Sequence, residues 1–142
     1  MNATMKKFGA PESLIKDYDH WVVLLRPGQV TLGALVLVCK DPAARFSKVS
    51  RDAFCELQLV TADLEATLAR RFQFDKINYL MLMMVDPDVH FHVLPRYRES
   101  KCYGDCWFTD HGWPGPPDLS QSNPVDSKTK HVLLDDLRDN WP

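Results

Sequence analysis

Between the breaks at Asp86-Pro87 and Pro95 the chain alternates strictly, with Asp88, His90 and His92 set against Val89, Phe91 and Val93. A period of two belongs to a β-strand, so three titratable side chains share one face and three apolar ones the other. Residues two apart on a strand lie about 6.5–7 Å from one another, so a carboxylate and two imidazoles stand in a row. Burying such a row without partners is costly, so it points to chemistry rather than to plain core. An isolated His-x-His pair is equally consistent with a solvent-facing or satisfied core strand, and the neighbouring segments have to decide.

Those segments carry clear periodicities. His20–Leu25 and Val30–Cys39 read as strands joined by the turn signal Arg26-Pro27-Gly28-Gln29, and the second is apolar enough to be central in a sheet. Ser50 is placed to cap a helix. Phe54, Leu57, Val60, Leu64 and Leu68 then recur at spacings of three and four, which predicts an amphipathic helix over about 51–72. Ile77–Val85 predicts a third strand and Asp88–Leu94 a fourth. Residues 1–18 read as a weakly structured lead-in. Residues 98–127 have loop composition, and a short helix is expected over about 128–139 within a tail at 118–142. The expected class is α+β, with an antiparallel sheet of about five strands and one main helix packed across it.

At 142 residues the chain is long enough for one domain with a hydrophobic core. A net charge of -2 argues against a broad nucleic-acid or anionic-membrane surface, but not against a pocket for one small anion. The longest apolar run, Ala34–Cys39, is too short to span a membrane. A cytoplasmic protein with reduced thiols is expected, Cys39 and Cys55 falling in core-like patterns.

The run KINYLMLMMVDPDVHFHVLPRY, Lys76–Tyr97, resembles the signature region of the histidine triad superfamily. That family alternates three histidines with apolar residues, and many members continue with Pro-Arg. Here His90-Phe91-His92-Val93-Leu94-Pro95-Arg96 matches the second half. Lys76-Ile77-Asn78-Tyr79 resembles the preceding strand, and Trp113-Pro114-Gly115-Pro116 the Trp-Pro segment that often follows. The resemblance covers about residues 19–117. It implies a homodimeric nucleotide-binding hydrolase or nucleotidyl transferase acting on a nucleoside phosphoramidate or dinucleoside polyphosphate. His90 takes the position of the nucleophile that forms a nucleotidyl-histidine intermediate, and His92 that of the histidine on the phosphate or leaving-group side. Asp88 stands in place of the first triad histidine. Asn78, Arg96 and Trp113 are the implied substrate-binding residues. No cofactor is required by that route.

Three positions depart from the family pattern: Asp88, the pair Met83-Met84 where Gly-Asn is common, and Ala34 after Gly33 where many members have histidine. A carboxylate beside His90 would favour the imidazolium and repel a phosphate, unless Asp88 points away or fixes a loop. A weakened nucleotide-binding module is one alternative. Asp88, His90 and His92 also form a two-histidine, one-carboxylate set that could hold a divalent metal. Cys102 and Cys106 with His111 give a weaker zinc pattern that lacks a fourth ligand.

Overall fold

The computed structural model describes residues 1–142. Helix α1 (Ala3–Lys7) and strand β1 (Leu14–Asp17) come first, so the stretch 1–18, expected to be weakly structured, is built into the fold. Strands β2 (Trp21–Leu25) and β3 (Leu35–Cys39), helix α2 (Arg51–Phe72), and strands β4 (Lys76–Leu80) and β5 (His90–Arg96) follow. A hairpin of β6 (Lys101–Tyr103) and β7 (Cys106–Phe108) precedes the last helix, α3 (Ser127–Asn140). Five strands form one antiparallel sheet in the order β1-β2-β3-β5-β4, giving the expected α+β class. No helix is long and apolar enough to cross a membrane.

Helix α2 runs over the expected residues. The Ser50 side chain accepts from the Ala53 amide at its start, and Gln73 closes its end in the left-handed conformation at φ 48°. Its buried stripe, Val60, Leu64 and Leu68, packs with Trp21, Val23, Leu25, Leu35, Leu37 and Val93 from one face of the sheet. Phe54, expected in that stripe, is exposed and packs edge-on against Phe46. Helix α3 is a full structural element: Leu133 and Leu137 are completely buried in the same core. The core therefore reaches from Ile15 to Leu137, well beyond residues 19–117.

Three strand boundaries differ from the sequence expectation, each for a local reason. The strand expected from Val30 begins only at Leu35, because Gly33 is left-handed at φ +83°. A Cβ there would lie 3.0 Å from the Phe72 ring, so the position suits glycine. The strand expected to reach Val85 ends at Leu80, and Met83 is left-handed at φ 51°. Met81 and Met83 pack against the core as expected, whereas Met84 is exposed. Strand β5 runs through Pro95 to Arg96. The pairing of β3 with β5 stops at Val93, so the missing Pro95 N–H faces no β3 partner. The CYGDC segment, read as loop, is the β6–β7 hairpin, turned at Gly104 with φ +58°.

A buried ion pair ties the irregular segment after β7 to the end of β5. Arg96, 4% exposed, donates from Nε and Nη2 to Asp110 at 2.7 and 3.0 Å, and Nη2 also reaches the Gly115 carbonyl. Asp110 further accepts the Tyr97 and Gly112 amides. Removing one partner of such a pair strands the other charge in the interior. Arg96→Met is therefore expected to cost about 3–5 kcal/mol in urea unfolding, with part of the loss recovered in Arg96→Met/Asp110→Leu. A single-variant loss under about 1 kcal/mol would show that Asp110 is relieved by water.

Candidate active site

Strand β5 is paired on both sides, with His90 opposite Val38 and His92 between Val36 and Leu80. The alternation holds: Phe91 and Val93 face the α2 core, and the two histidines face the other way. That second face is covered as well. Helix α1 lies over it, its Met5 and the following Phe8 clustering with Val22, Leu24, Val36 and Val38. His90 is 2% and His92 8% exposed. The Phe8 ring stands 6.2 Å from the His90 ring and 5.6 Å, edge-on, from that of His92. The histidine rings are 5.3 Å apart and near-perpendicular.

Asp88 divides its work between backbone and side chain. Its carbonyl accepts a hydrogen bond from His90 Nδ1 at 2.7 Å. A carbonyl can only accept, so Nδ1 carries the proton and Nε2 keeps its lone pair. The Asp88 carboxylate is held by Thr4, accepting from its amide at 3.1 Å and its hydroxyl at 2.9 Å. The Asp88 amide donates back to the Thr4 hydroxyl oxygen at 3.2 Å. Asp88 thus anchors α1. Two further contacts help: the Asn2 side chain donates to the Cys39 carbonyl, and Lys7 pairs with Asp86 at 2.8 Å.

His90 and His92 line a cavity of about 260 Å³ together with Lys7, Phe8, Arg26 and the Leu82–Asp86 segment. Leu82, Met84 and Val85 are exposed there. Burial, with the nearby Arg26 cation and His90 next in weight, pushes the His92 pKa down to about 4. The His92 Nδ1 and the Arg26 Nε are both buried without a hydrogen-bond partner.

The other sequence-selected residues gather elsewhere. Asn78, Arg96 and Trp113 line a separate cavity of about 460 Å³ with Lys76. Asn78 Oδ1 accepts from Arg96 Nη1 at 2.7 Å. Arg96 lies six residues along β5 from His90, about 20 Å away. The metal set is not assembled, because the Asp88 carboxylate is taken by Thr4 and no three His, Cys, Asp or Glu side chains converge to hold an ion. Cys102 and Cys106 sit opposite Trp107 and Tyr103 respectively, so they fall on opposite faces of their hairpin and form no zinc site with His111. Lys7, Phe8 and Arg26 were not legible as site residues. Arg26 belongs to a turn signal, and the other two fall in the supposed lead-in.

No family model and no curated protein matches the chain by sequence. Among solved structures, a histidine triad protein from Bradyrhizobium japonicum superposes with a TM-score of 0.75 at 19% identity, covering 100% of this chain and 97% of that one. A histidine triad protein from Sinorhizobium meliloti gives 0.76 at 18% identity, covering 99% and 96%. One from Marinobacter aquaeolei gives 0.73 at 19%, covering 96% and 93%. The chain has the histidine triad fold, and the Bradyrhizobium superposition spans α1 and α3.

Two measurements test this arrangement. A histidine whose folded pKa lies below its unfolded value of about 6.5 binds more protons unfolded, so it costs stability as pH falls. The His92 ring resonances should titrate near pH 4, and His92→Phe should flatten the loss of stability between pH 6.5 and 4. A His92 midpoint above 6 contradicts the burial of its ring. Separately, Asp88→Ala keeps the carbonyl and loses the carboxylate. Amide exchange over residues 4–8 should accelerate by about tenfold or more, with the His90 ring nitrogen shifts unchanged. Unchanged exchange would mean that α1 does not depend on Asp88.

Proposed function

We propose that the protein is a nucleotide-binding hydrolase or nucleotidyl transferase of the histidine triad type, with His90 as nucleophile. The observation that carries this reading is the His90 Nδ1 bond to the Asp88 carbonyl, which leaves the Nε2 lone pair available beside a cavity lined by Lys7 and Arg26. An imidazole nucleophile needs this tautomer, because the bond it forms to phosphorus uses the unprotonated nitrogen. The fold shared with histidine triad proteins supports the same reading.

In the proposed reaction Nε2 attacks the α-phosphorus of a nucleoside phosphoramidate or a dinucleoside polyphosphate. The new P–N bond forms as the bond from phosphorus to the leaving group breaks. The leaving group departs with that electron pair and takes a proton from water. Water then attacks the nucleotidyl-histidine, the P–N bond returns its electrons to Nε2, and a nucleoside monophosphate is released. His92, neutral down to about pH 4, adds a polar ring beside the reacting group without a positive charge. Asp88 contributes its carbonyl, which is why a carboxylic residue at this position is compatible with the chemistry. Asn78, Arg96 and Trp113 enter the proposal only as a flanking surface, with Arg96 about 20 Å along β5 from His90, suited to a remote part of a longer substrate.

Brief incubation with adenosine phosphoramidate followed by intact mass measurement tests the reading. Wild type should gain one adenylyl group and turn the substrate over. His90→Ala should lose the adduct and more than about 10³-fold of turnover. Equal turnover by His90→Ala, or no adduct and no turnover in wild type with either substrate class, would falsify it.

A further inference from the structure

Arg26 is a half-buried cation without a counter-ion. It follows β2 directly, and no carboxylate lies within ion-pair distance of its guanidinium. Its Nη1 donates to the Gly28 carbonyl at 2.6 Å, its Nε is buried and unpaired, and its Nη2 makes no hydrogen bond within the chain. The Nε–Nη2 edge is one of the two edges with which a guanidinium pairs bidentately with an oxyanion. A buried donor left without an acceptor costs about 1–3 kcal/mol, so the arrangement needs an explanation.

The surrounding turn is built to hold the side chain where it is. Gln29, 1% exposed, donates to the Arg26 and Ala34 carbonyls and accepts the Gly33 amide, closing the loop on itself. Asn123 fastens the loop from outside by donating to the Gln29 and Val30 carbonyls. Gly28 leaves room for the guanidinium: a Cβ there would lie 3.0 Å from Nη1 and 2.7 Å from the Ser122 hydroxyl. The cavity beside it holds both histidines, and the second unpaired buried polar atom in it is His92 Nδ1. Lys7 is already matched by Asp86, so Arg26 is the uncompensated charge of the lining.

We propose that Arg26 is the phosphate anchor of this site, its free Nε–Nη2 edge gripping non-bridging oxygens of the phosphoryl group beside His90. The assignment rests on the reading above for the covalent step, but anion binding by Arg26 stands without it. Charge that builds on those oxygens during attack meets a donor already fixed by the Gly28 carbonyl, with no reorganisation at the moment of reaction. The same positive charge adds to the burial that disfavours protonation of His92. A role confined to packing would instead have Arg26 matched by acceptors of the chain, as Arg96 is by Asp110.

The test compares wild type, Arg26→Met and Arg26→Lys by calorimetry with AMP, inorganic phosphate and adenosine, and by adenosine phosphoramidate turnover. Arg26→Met should bind AMP and phosphate at least about tenfold more weakly, bind adenosine as wild type does, and lose about 10²–10³-fold in kcat. Arg26→Lys should recover AMP binding in part, because it restores the charge without the fork. The His92 titration midpoint should rise in Arg26→Met, while thermal stability without ligand should hold or increase. AMP binding in Arg26→Met equal to that of wild type overturns the assignment. So does a loss of AMP binding that tracks unfolding of the free protein. Wild type that binds AMP through Arg26 yet forms no adduct supports the anchor and overturns the covalent reading alone. Absence of both binding and adduct in wild type overturns both.

Discussion

The hydrogen bonding of β5 on both edges is the constraint from which the site follows. A strand paired with β3 and β4 cannot rotate about its own axis, and its apolar residues already serve the α2 core. His90 and His92 must therefore lie on the opposite face, and that face must be covered to keep a sheet of apolar strands out of water. The chain covers it with its own N-terminus. Helix α1 has five residues, too few to be stable alone, so it owes its position to tertiary ties. The Asn2 cap on Met5, the Thr4–Asp88 couple and the burial of Met5 and Phe8 supply them.

Asp88 reads differently once backbone and side chain are separated. What His90 requires from residue 88 is an acceptor at Nδ1, and the main-chain carbonyl provides it whatever the side chain is. The side chain is then free for another task, and a carboxylate suits the Thr4 amide and hydroxyl, which are both donors. The electrostatic objection to an acid beside His90 loses force because its oxygens are turned to Thr4. The Met83-Met84 pair works similarly. Met83 adopts a left-handed turn and packs on the core, while Met84 stands out at the rim of the cavity with Leu82 and Val85, giving the entrance an apolar lip.

Long, strongly periodic segments were legible in the sequence, whereas the lengths of the loops between them were not. The α2 stripe and the β5 alternation each repeat often enough to declare their period. Val30–Ala34 is as apolar as the strand after it, and only the backbone angle at Gly33 separates the two. The fourth strand was expected to end at Leu94, before Pro95, but a proline that cannot donate does not stop a strand where no neighbour is waiting for the donor. The site was half legible for the same reason. His90 and His92 come from one periodic strand, whereas Lys7, Phe8 and Arg26 come from a short helix, its end and a turn, and reach the cavity only through long-range packing. Asn78, Arg96 and Trp113 were selected as one set with the histidines. Arg96 and Asn78 share the histidine face of the sheet, but that face is long enough to hold two separate cavities.

The two arginines on this side of the sheet differ in how far the chain answers their donors, not in burial alone. Arg96 is the more deeply buried, yet Asp110, Asn78 and Gly115 answer its donors, so it can be read as the fastening of the 110–117 segment. Arg26 is less buried and less satisfied, and its turn is stiffened by Gln29 and Asn123 rather than relaxed around it. A fold under no other demand would let such a side chain rotate into solvent, since an unpaired cation gains hydration by leaving. Keeping it beside His92, whose own protonation it opposes, raises the energy of the empty cavity. An arriving phosphoryl anion relieves that cost, so part of the affinity for it is already stored in the ligand-free protein.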